Sequence, residues 1–368
     1  MNARRRLSAV VMAVLILAAA ACTEASPPKP VPTASSLALA TRIEEYIESH
    51  SDRYAQIRSV RVQVDGQSRL QHYRHGIDGS SHLNVWGVTM SVLSMLVGIA
   101  IAEGEIPGVD ARLAELLPGH VDKMTPVQER VTLEQLLTMS GGFADQQHLE
   151  AHVAASPPTK LTASALFAVD MQAPPAERFI LSDISAHLVS AVLAEATGQT
   201  PLEYGRRVLF DPLGIQTEPA NIDVLGEEGV SEAFNAAGFG WATDHEGLNL
   251  GCCFLKLTAD DMVRLGQLYL DEGRWNDTPV VPADWVVASM RPAELNHHFG
   301  YLWWINELGG EPVLAAVGSG GQTIIVLPHL DAVITVASQA PDDLPIPDLL
   351  TQDDLLLLIS TQIVPTLG

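Results

Sequence analysis

Lysine is scarce in this chain: Lys29, Lys123, Lys160 and Lys256 are the only four in 368 residues. Chemistry that needs an amine as proton acceptor therefore has few places to sit. Basic charge as a whole is short, with 21 Lys and Arg against 44 Asp and Glu and a net charge of −23. Such a balance repels phosphate backbones and anionic lipid, which excludes nucleic-acid binding and peripheral docking on acidic membranes. Neutral or cationic ligands stay open. Cysteine is limited to Cys22, Cys252 and Cys253. No zinc-ribbon spacing exists, and adjacency disfavours a Cys252–Cys253 bridge, so both are expected as small buried side chains beside Gly251. His148-Leu-Glu-Ala-His152 has the i, i+4 spacing of a zinc pair but lacks the Glu that follows the first His in a zincin. No metal and no cofactor is expected. His72, His75, His297 and His298 read as solvated loop residues.

What is present begins with an export signal. Arg4-Arg5-Arg6 precedes an apolar run, Leu7–Ala21, interrupted only by Ser8. Ala19-Ala20-Ala21-Cys22 then resembles a bacterial lipobox with Cys22 as the lipidated residue, although Leu17 lies five places before Cys22 instead of three. Plain signal-peptidase cleavage at the Ala-x-Ala site is the alternative. Residues 1–21 are expected to be removed, taking the net charge from −23 to −26. Residues 22–36 form a proline-rich tether that holds the rest off a membrane. An exported protein is expected, anchored by lipid and facing outward, with secretion as the alternative.

In the folded part, Leu37–Ser49 carries apolar residues at helical spacing. Ser59–Val64 alternates as a strand, Asp65-Gly66 is a hairpin turn signal, and Arg69–Tyr73 can return. Helical patterns dominate from Trp86 to Gly251. Strands reappear near Pro312–Val317, Thr323–Leu327 and Ala332–Ala337, and a final amphipathic helix is expected from Pro347 to Ile363. The stretch Val85–Ala102 has no charged residue and reaches the length of a membrane span. Thr89, Ser91, Ser94 and Gly98 within it, with no flanking basic cluster, favour a buried helix instead.

That helix opens Asn84-Val-Trp86-Gly87-Val-Thr-Met90-Ser91 and closes Gly98-Ile-Ala-Ile-Ala-Glu103-Gly104. It resembles the serine beta-lactamase and penicillin-binding-protein-like hydrolases, especially their esterase and 6-aminohexanoate-oligomer-hydrolase branch. There the helix opens Trp-Ser-x-x-Lys-Ser. Further similar segments are Val131–Gly142, Phe179–Asp183, Phe210–Ile215, Leu257–Met262, Tyr301–Trp304 and Gly318–Gln322, so the likeness spans about residues 55–340. The resemblance implies an α/β (α+β) fold: an antiparallel sheet from both chain ends, residues 37–85 and 255–368, flanked by helices, with an inserted all-helical domain, 86–254. It places the active-site cleft between the two.

The same resemblance assigns the reagents, and they are missing. Gly87 stands at the nucleophilic Ser, Met90 at the Lys that takes its proton, and Leu181 at the phenol that completes proton transfer. Glycine has no side chain, a thioether cannot shuttle a proton, and leucine neither donates nor accepts one. Gly318-Ser319-Gly320 falls where penicillin-binding relatives carry a cation. Met and Leu fill the space with apolar atoms and leave no orphan charge.

Candidate cleft residues are Trp86, Ser140, Ser182, Asp183, Tyr301, Ser319 and Gly320. Ser140 and Ser182 are the alternative nucleophiles, each without an obvious base. Ser91 and Ser94 read as small residues at a helix contact, and Ser26-Pro-Pro-Lys29 as a chance match that its prolines forbid. Tyr301, Trp303 and Trp304 can line the cleft or pack the core; adjacent strand positions face opposite sides, so at least one tryptophan is expected inside. The leading expectation is an exported relative that has lost serine-hydrolase chemistry and binds a small-molecule or cell-wall-derived ligand, or a partner, in the old cleft. The alternative is an active hydrolase of esters, amides or cell-wall peptides using Ser140 or Ser182. A scaffold lipoprotein is the third reading. Oligomeric state is not specified by the sequence.

Overall fold

Val64 and Gln67 face each other across Asp65 (φ 50°) and Gly66 (φ 67°), the two positive dihedrals of a type I′ turn. This hairpin joins β1 (Ile57–Val64) to β2 (Gln67–Tyr73), as its sequence predicts. The computed structural model describes residues 34–145, 163–218, 236–339 and 350–367, with 222–223, 225–226, 229–230 and residue 234 between them. The signal peptide, residues 22–33 of the tether with Cys22, and His148 and His152 lie outside the described residues, whereas residues 34–36, read as tether, are the first residues of a helix.

In chain order the elements that frame the site are as follows. Helix α1 (Ala34–Ser49) precedes the hairpin, and β3 (Leu83–Asn84) leads into helix α2 (Val88–Glu103). Helices α3 (Leu133–Leu137) and α4 (Asp183–Thr197) follow, then β4 (Gly240–Thr243), β5 (Leu255–Leu257), α5 (Ala259–Leu270) and α6 (Ala283–Ser289). Strands β6 (Trp304–Leu308), β7 (Glu311–Gly318), β8 (Gln322–Leu327) and β9 (Ala332–Ser338) and helix α7 (Gln352–Leu358) complete the chain.

Six strands form one antiparallel sheet in the order β6-β7-β8-β9-β1-β2, so the first and last strand groups meet where β9 pairs β1. Both faces are covered, and alternation decides which residue faces where. Val313 and Ala315 of β7 join Leu39, Ile43 and Ile47 of α1 and Leu355 and Leu358 of α7. Leu314 and Ala316 point to the other face, toward α2 and α5. Gly266 lets α5 lie close on the sheet, since a Cβ there would stand 2.5 Å from Val333 Cγ1. The fold is thus the expected mixed one of antiparallel sheet and helices. Strand β6 has no counterpart in the sequence reading, and the last helix is regular only over Gln352–Leu358 before widening through Ile359–Ile363.

Helix α2 is the central element. Every residue from Val88 to Ala100 is buried, including Thr89, Ser91 and Ser94, so it has no polar face. Gly104 ends it in the left-handed region (φ 81°). Among the described residues no helix is long and apolar enough to cross a membrane. Gly98 is a close-approach glycine: its Cβ would fall 2.2 Å from Trp285 Cγ of α6, whose ring is tilted on Tyr301 at 5.3 Å. Gly98→Ala is expected to lower stability by about 1–3 kcal/mol through overpacking. A urea midpoint equal to wild type would show that the indole moves aside freely.

Two sequence readings of single side chains change here. His72 lies in β2, not in a loop, and bonds Glu44 of α1 at 2.7 Å, while Arg74 Nε reaches the same carboxylate at 2.9 Å. Burial raises the Glu44 pKa, but the bonds to Arg74 and His72 outweigh it and hold it below the usual 4.5. A depressed carboxylate stabilises above its unfolded pKa and loses that contribution as pH falls through the folded value. Glu44→Gln should therefore be less stable than wild type at neutral pH, and the two unfolding curves should converge in acid. A gap that persists once acid has protonated the folded-state carboxylate would rule the ion pair out as its source.

Cys252 and Cys253 are the second case. Their Cα atoms are 3.8 Å apart, and the structure joins them as a disulfide instead of leaving two separate thiols. The chain folds back on itself there: Leu250 N donates to Ala242 O (2.8 Å) and Ala242 N donates to Phe254 O (3.0 Å). The excursion Gly251–Cys253 thus leaves and returns to one residue of β4.

Candidate functional site

The segment that opens α2 comes off a small sheet. Asn84 pairs Lys256 of β5, and Val85 N donates to Leu255 O at 2.8 Å. Asn84 Oδ1 then accepts from Trp86 N at 3.1 Å, an Asx turn that reverses the chain into the helix. Trp86 is held in the left-handed region (φ 46°), and its indole is 38% exposed, tilted on Phe254 at 4.9 Å. Gly87 follows as the N-cap with no side chain to cap. The first turn is closed by backbone bonds instead: Val88 N to Val85 O, Thr89 N to Trp86 O and Met90 N to Gly87 O.

Strand β7 arrives against this turn backbone to backbone. A Cβ at Gly87 would stand 2.6 Å from Val317 O, and a Cβ at Gly318 would stand 2.3 Å from Val85 O and 2.9 Å from Gly87 N. Real side chains do not occupy such distances, so both positions need glycine, and main chain fills the place of a side chain at Gly87. The strand cannot easily retreat. Its hairpin to β8 turns through Ser319, Gly320 (φ 73°) and Gly321 (φ 94°), and Gln322 clamps Ser338 through Nε2 to Ser338 O (2.6 Å) and Ser338 N to Oε1 (3.2 Å). Ser338 Oγ closes the clamp on Gly320 O. Ser319 is exposed at the tip, and Gly320 is buried beneath it.

Met90 is 6% exposed and packs into the core under the helix, as an apolar filler should. Leu181 is half-buried against the same core. Its segment runs beside the residues after α3: Ile180 N donates to Met139 O at 2.8 Å, Ala176 N to Ser140 O at 2.8 Å, and Ser182 N to Met139 Sδ at 3.4 Å. Ser140 and Ser182 are thus brought to neighbouring strands of loop. Their hydroxyls are already committed. Ser182 Oγ caps α4 by accepting from Ser185 N at 3.1 Å, and Ser140 Oγ lies 2.9 Å from Thr138 Oγ1. Neither is hydrogen-bonded to an imidazole, amine, phenol or carboxylate among the described residues. Asp183 occupies the first turn of α4, where its charge suits the helix dipole.

Tyr301 donates to Glu134 Oε1 of α3 at 2.7 Å; burial, then that carboxylate, push its phenol well above the ordinary tyrosine range. It is a poor proton carrier near neutrality. Leu302 next to it is pinned twice: its N donates to Leu137 O (3.0 Å) and its O accepts from Ser91 Oγ (2.8 Å). Ser91 is therefore a helix-contact residue. Trp303 is fully buried, 4.2 Å from the Tyr269 ring, while half-buried Trp304 joins Phe299 and Phe179 in an aromatic cluster at 5.1–6.4 Å. Lys256 turns inward, its amine bonded to Phe234 O (2.8 Å) and Ala237 O (2.7 Å), and burial lowers its pKa. Lys123 is exposed beside Asp122, and no cluster of metal-ligating residues occurs among the described residues.

Sequence reasoning passed over three of these features: Phe254 as the partner of Trp86, Glu134 as the partner of Tyr301, and the Gly87–Gly318 approach. The first two are long-range pairings with no periodic signal. The paired glycines were visible as residues, but their contact is a property of the folded backbone.

The family model for beta-lactamase matches residues 49–358. No curated protein matches the chain. Among solved structures, a protein assigned as a 6-aminohexanoate-dimer hydrolase from Bacillus anthracis superposes with a TM-score of 0.64 at 16% identity, over 88% of this chain and 81% of that one. A D-stereospecific amidohydrolase from Streptomyces sp. gives 0.63 at 14% identity, covering 89% and 99%. A penicillin-binding protein from Bacillus halodurans gives 0.61 at 15%, covering 84% and 97%. At these identities the superpositions speak to fold, while the family model covers most of the chain. The chain belongs to the beta-lactamase family.

Proposed function

We propose that this protein keeps the beta-lactamase fold without serine-hydrolase chemistry and works by binding a ligand or partner in the region of the former cleft. One observation carries the reading: the place of a side chain at Gly87 is taken by the Val317 carbonyl, 2.6 Å from where a Cβ would stand. A nucleophilic hydroxyl needs that Cβ. Met90 and Leu181 are packed apolar residues, so the positions that resemblance gives to base and phenol hold no proton carrier either. The acidic balance favours neutral or cationic ligands, among which cell-wall-derived ones suit an exported protein. Export with lipidation at Cys22 belongs to the same proposal and rests on residues 1–36 of the sequence.

The structural neighbours include a 6-aminohexanoate-dimer hydrolase and an amidohydrolase, which favours a second reading, turnover by Ser140 or Ser182. One measurement separates the two. Full-length protein is treated with a fluorophosphonate serine probe and its intact mass recorded. No adduct is expected. An adduct mapping to Ser140 or Ser182, lost on the matching Ser→Ala change, would replace the binding reading with the hydrolytic one.

A further inference from the structure

Two bulky aromatic residues in the left-handed region meet beside Gly87: Trp86 at φ 46° and Phe254 at φ 61°, with ring centroids 4.9 Å apart. Large side chains avoid that region, and such conformations persist where the surroundings over-determine them. Around Trp86 the Asn84 turn and the helix start do this. Around Phe254 the constraint is different. The excursion Gly251–Cys253 hangs from Ala242 by two backbone bonds, Gly251 N reaches His187 Nδ1 at 3.4 Å, and the Cys252–Cys253 disulfide closes the turn immediately before Phe254. Gly251 packs backbone to backbone on the neighbouring helix, since a Cβ there would stand 2.1 Å from Ala186 O. The disulfide is thus the one covalent and chemically reversible member of the set that presents Phe254 to Trp86.

We infer that Cys252–Cys253 is a redox modification site for low-molecular-weight thiols and disulfides, and that its state sets whether Phe254 covers Trp86 at the mouth of the former cleft. The two sulfurs differ in access: Cys253 is partly exposed, and Cys252 is 1% exposed. An incoming thiolate attacks Cys253 Sγ, breaks the protein S–S bond and leaves Cys252 as thiolate, giving a mixed disulfide at Cys253. A second small thiol attacks the outer sulfur of that mixed disulfide, frees Cys253 and departs as the small-molecule disulfide. Two electrons and two protons pass to the protein, whose disulfide becomes two thiols, and two small thiols become one disulfide. Oxidation is the reverse, with the low-molecular-weight disulfide as oxidant. In the dithiol state the turn is held by its bonds to Ala242 and His187 and by the packing of Cys252 and of Phe254 on Phe234, with no covalent closure; Phe254 then leaves the left-handed region, and Trp86 opens to solvent. The inference does not depend on whether the protein hydrolyses anything.

The test uses full-length wild-type protein equilibrated with oxidised or with reduced glutathione. Thiols are trapped by maleimide, and the peptide carrying Cys252 and Cys253 is weighed. Two labels are expected in the reduced sample and none in the oxidised one. Acrylamide quenching of tryptophan emission is read on the same samples, with circular dichroism to show that both are folded. Quenching should rise on reduction, and the rise should vanish in Trp86→Phe. Cys252→Ser should quench like reduced protein in either buffer. Two labels in both buffers, no label in either, or equal quenching in the two redox states would each overturn the inference.

Discussion

Gly87→Ser is expected to lose about 2–3 kcal/mol of stability and to gain no reactivity toward a fluorophosphonate. The cost follows from the 2.6 Å between a Cβ at this position and the Val317 carbonyl. A clash with a flexible side chain could be relieved by a rotamer change. Here the obstacle is main chain, held by pairing with β8 and by the Gln322–Ser338 clamp behind the hairpin. Moving β7 back would also open the Gly318 contact with Val85 O and Gly87 N. The measurement is a pair of urea curves and an intact mass after probe treatment. Gly87→Ser combined with Met90→Lys and Leu181→Tyr should be no more reactive, because the added groups do not create room for the hydroxyl. A stable, labelled Gly87→Ser variant would mean that β7 yields easily and that the fold still admits its ancestral chemistry.

Asp244→Ala is expected to cost about 3 kcal/mol or more. Asp244 and His187 are fully buried, with Asp244 Oδ2 3.1 Å from His187 Nε2. Gly251 N points at Nδ1, so the ring proton sits on Nε2 and is given to the carboxylate. The other oxygen, Oδ1, accepts from Glu246 N (2.8 Å) and Leu248 N (3.0 Å). Truncation leaves two part-buried loop amides and the fully buried His187 N–H without their acceptor, and a buried donor left unmade costs more than the bond is worth when formed. Asp244→Asn keeps an oxygen for the two amides but turns its NH2 toward the ring N–H, so its loss should fall between wild type and Asp244→Ala. Equal urea midpoints for Asn and Ala would show that the His187 bond, and not the loop amides, carries the cost.

How far the sequence discloses this protein varies with the range of the interaction. The Asp65-Gly66 hairpin, the apolar centre of α2 and the alternation of β7, β8 and β9 are local patterns, and each appears where its residues place it. Strand β6 lacks such a pattern. Trp304–Leu308 alternates poorly, and it is the edge strand of the sheet, paired along its length with β7, so its pairing and not its composition makes it a strand. His72 reads as a solvated residue because its partner Glu44 is 28 positions away. The site divides in the same way. Gly87, Met90 and Leu181 stand out because a motif supplies the comparison. That Gly87 is sterically required becomes visible only when Val317 is brought against it across 230 residues of chain. The Cys252–Cys253 bond, disfavoured by adjacency, depends on both ends of its turn bonding to Ala242.

The pairing of β1 with β9 fixes the order in which this protein can be completed. Ile57–Val64 is made early, yet it sits between β2 and Ala332–Ser338, and Arg42 of α1 bonds Thr361 O and Gln362 near the other end of the chain. At about 5–20 residues per second, β1 waits on the order of 10–50 s for the strand that covers its open edge. Such high contact order makes the sheet slow to close, and an unpaired apolar strand is a template for other chains in the meantime. A chain released before Ala332 would carry two bare edges at once, on β1 and on β8, and its fate would be aggregation before any question of function arose.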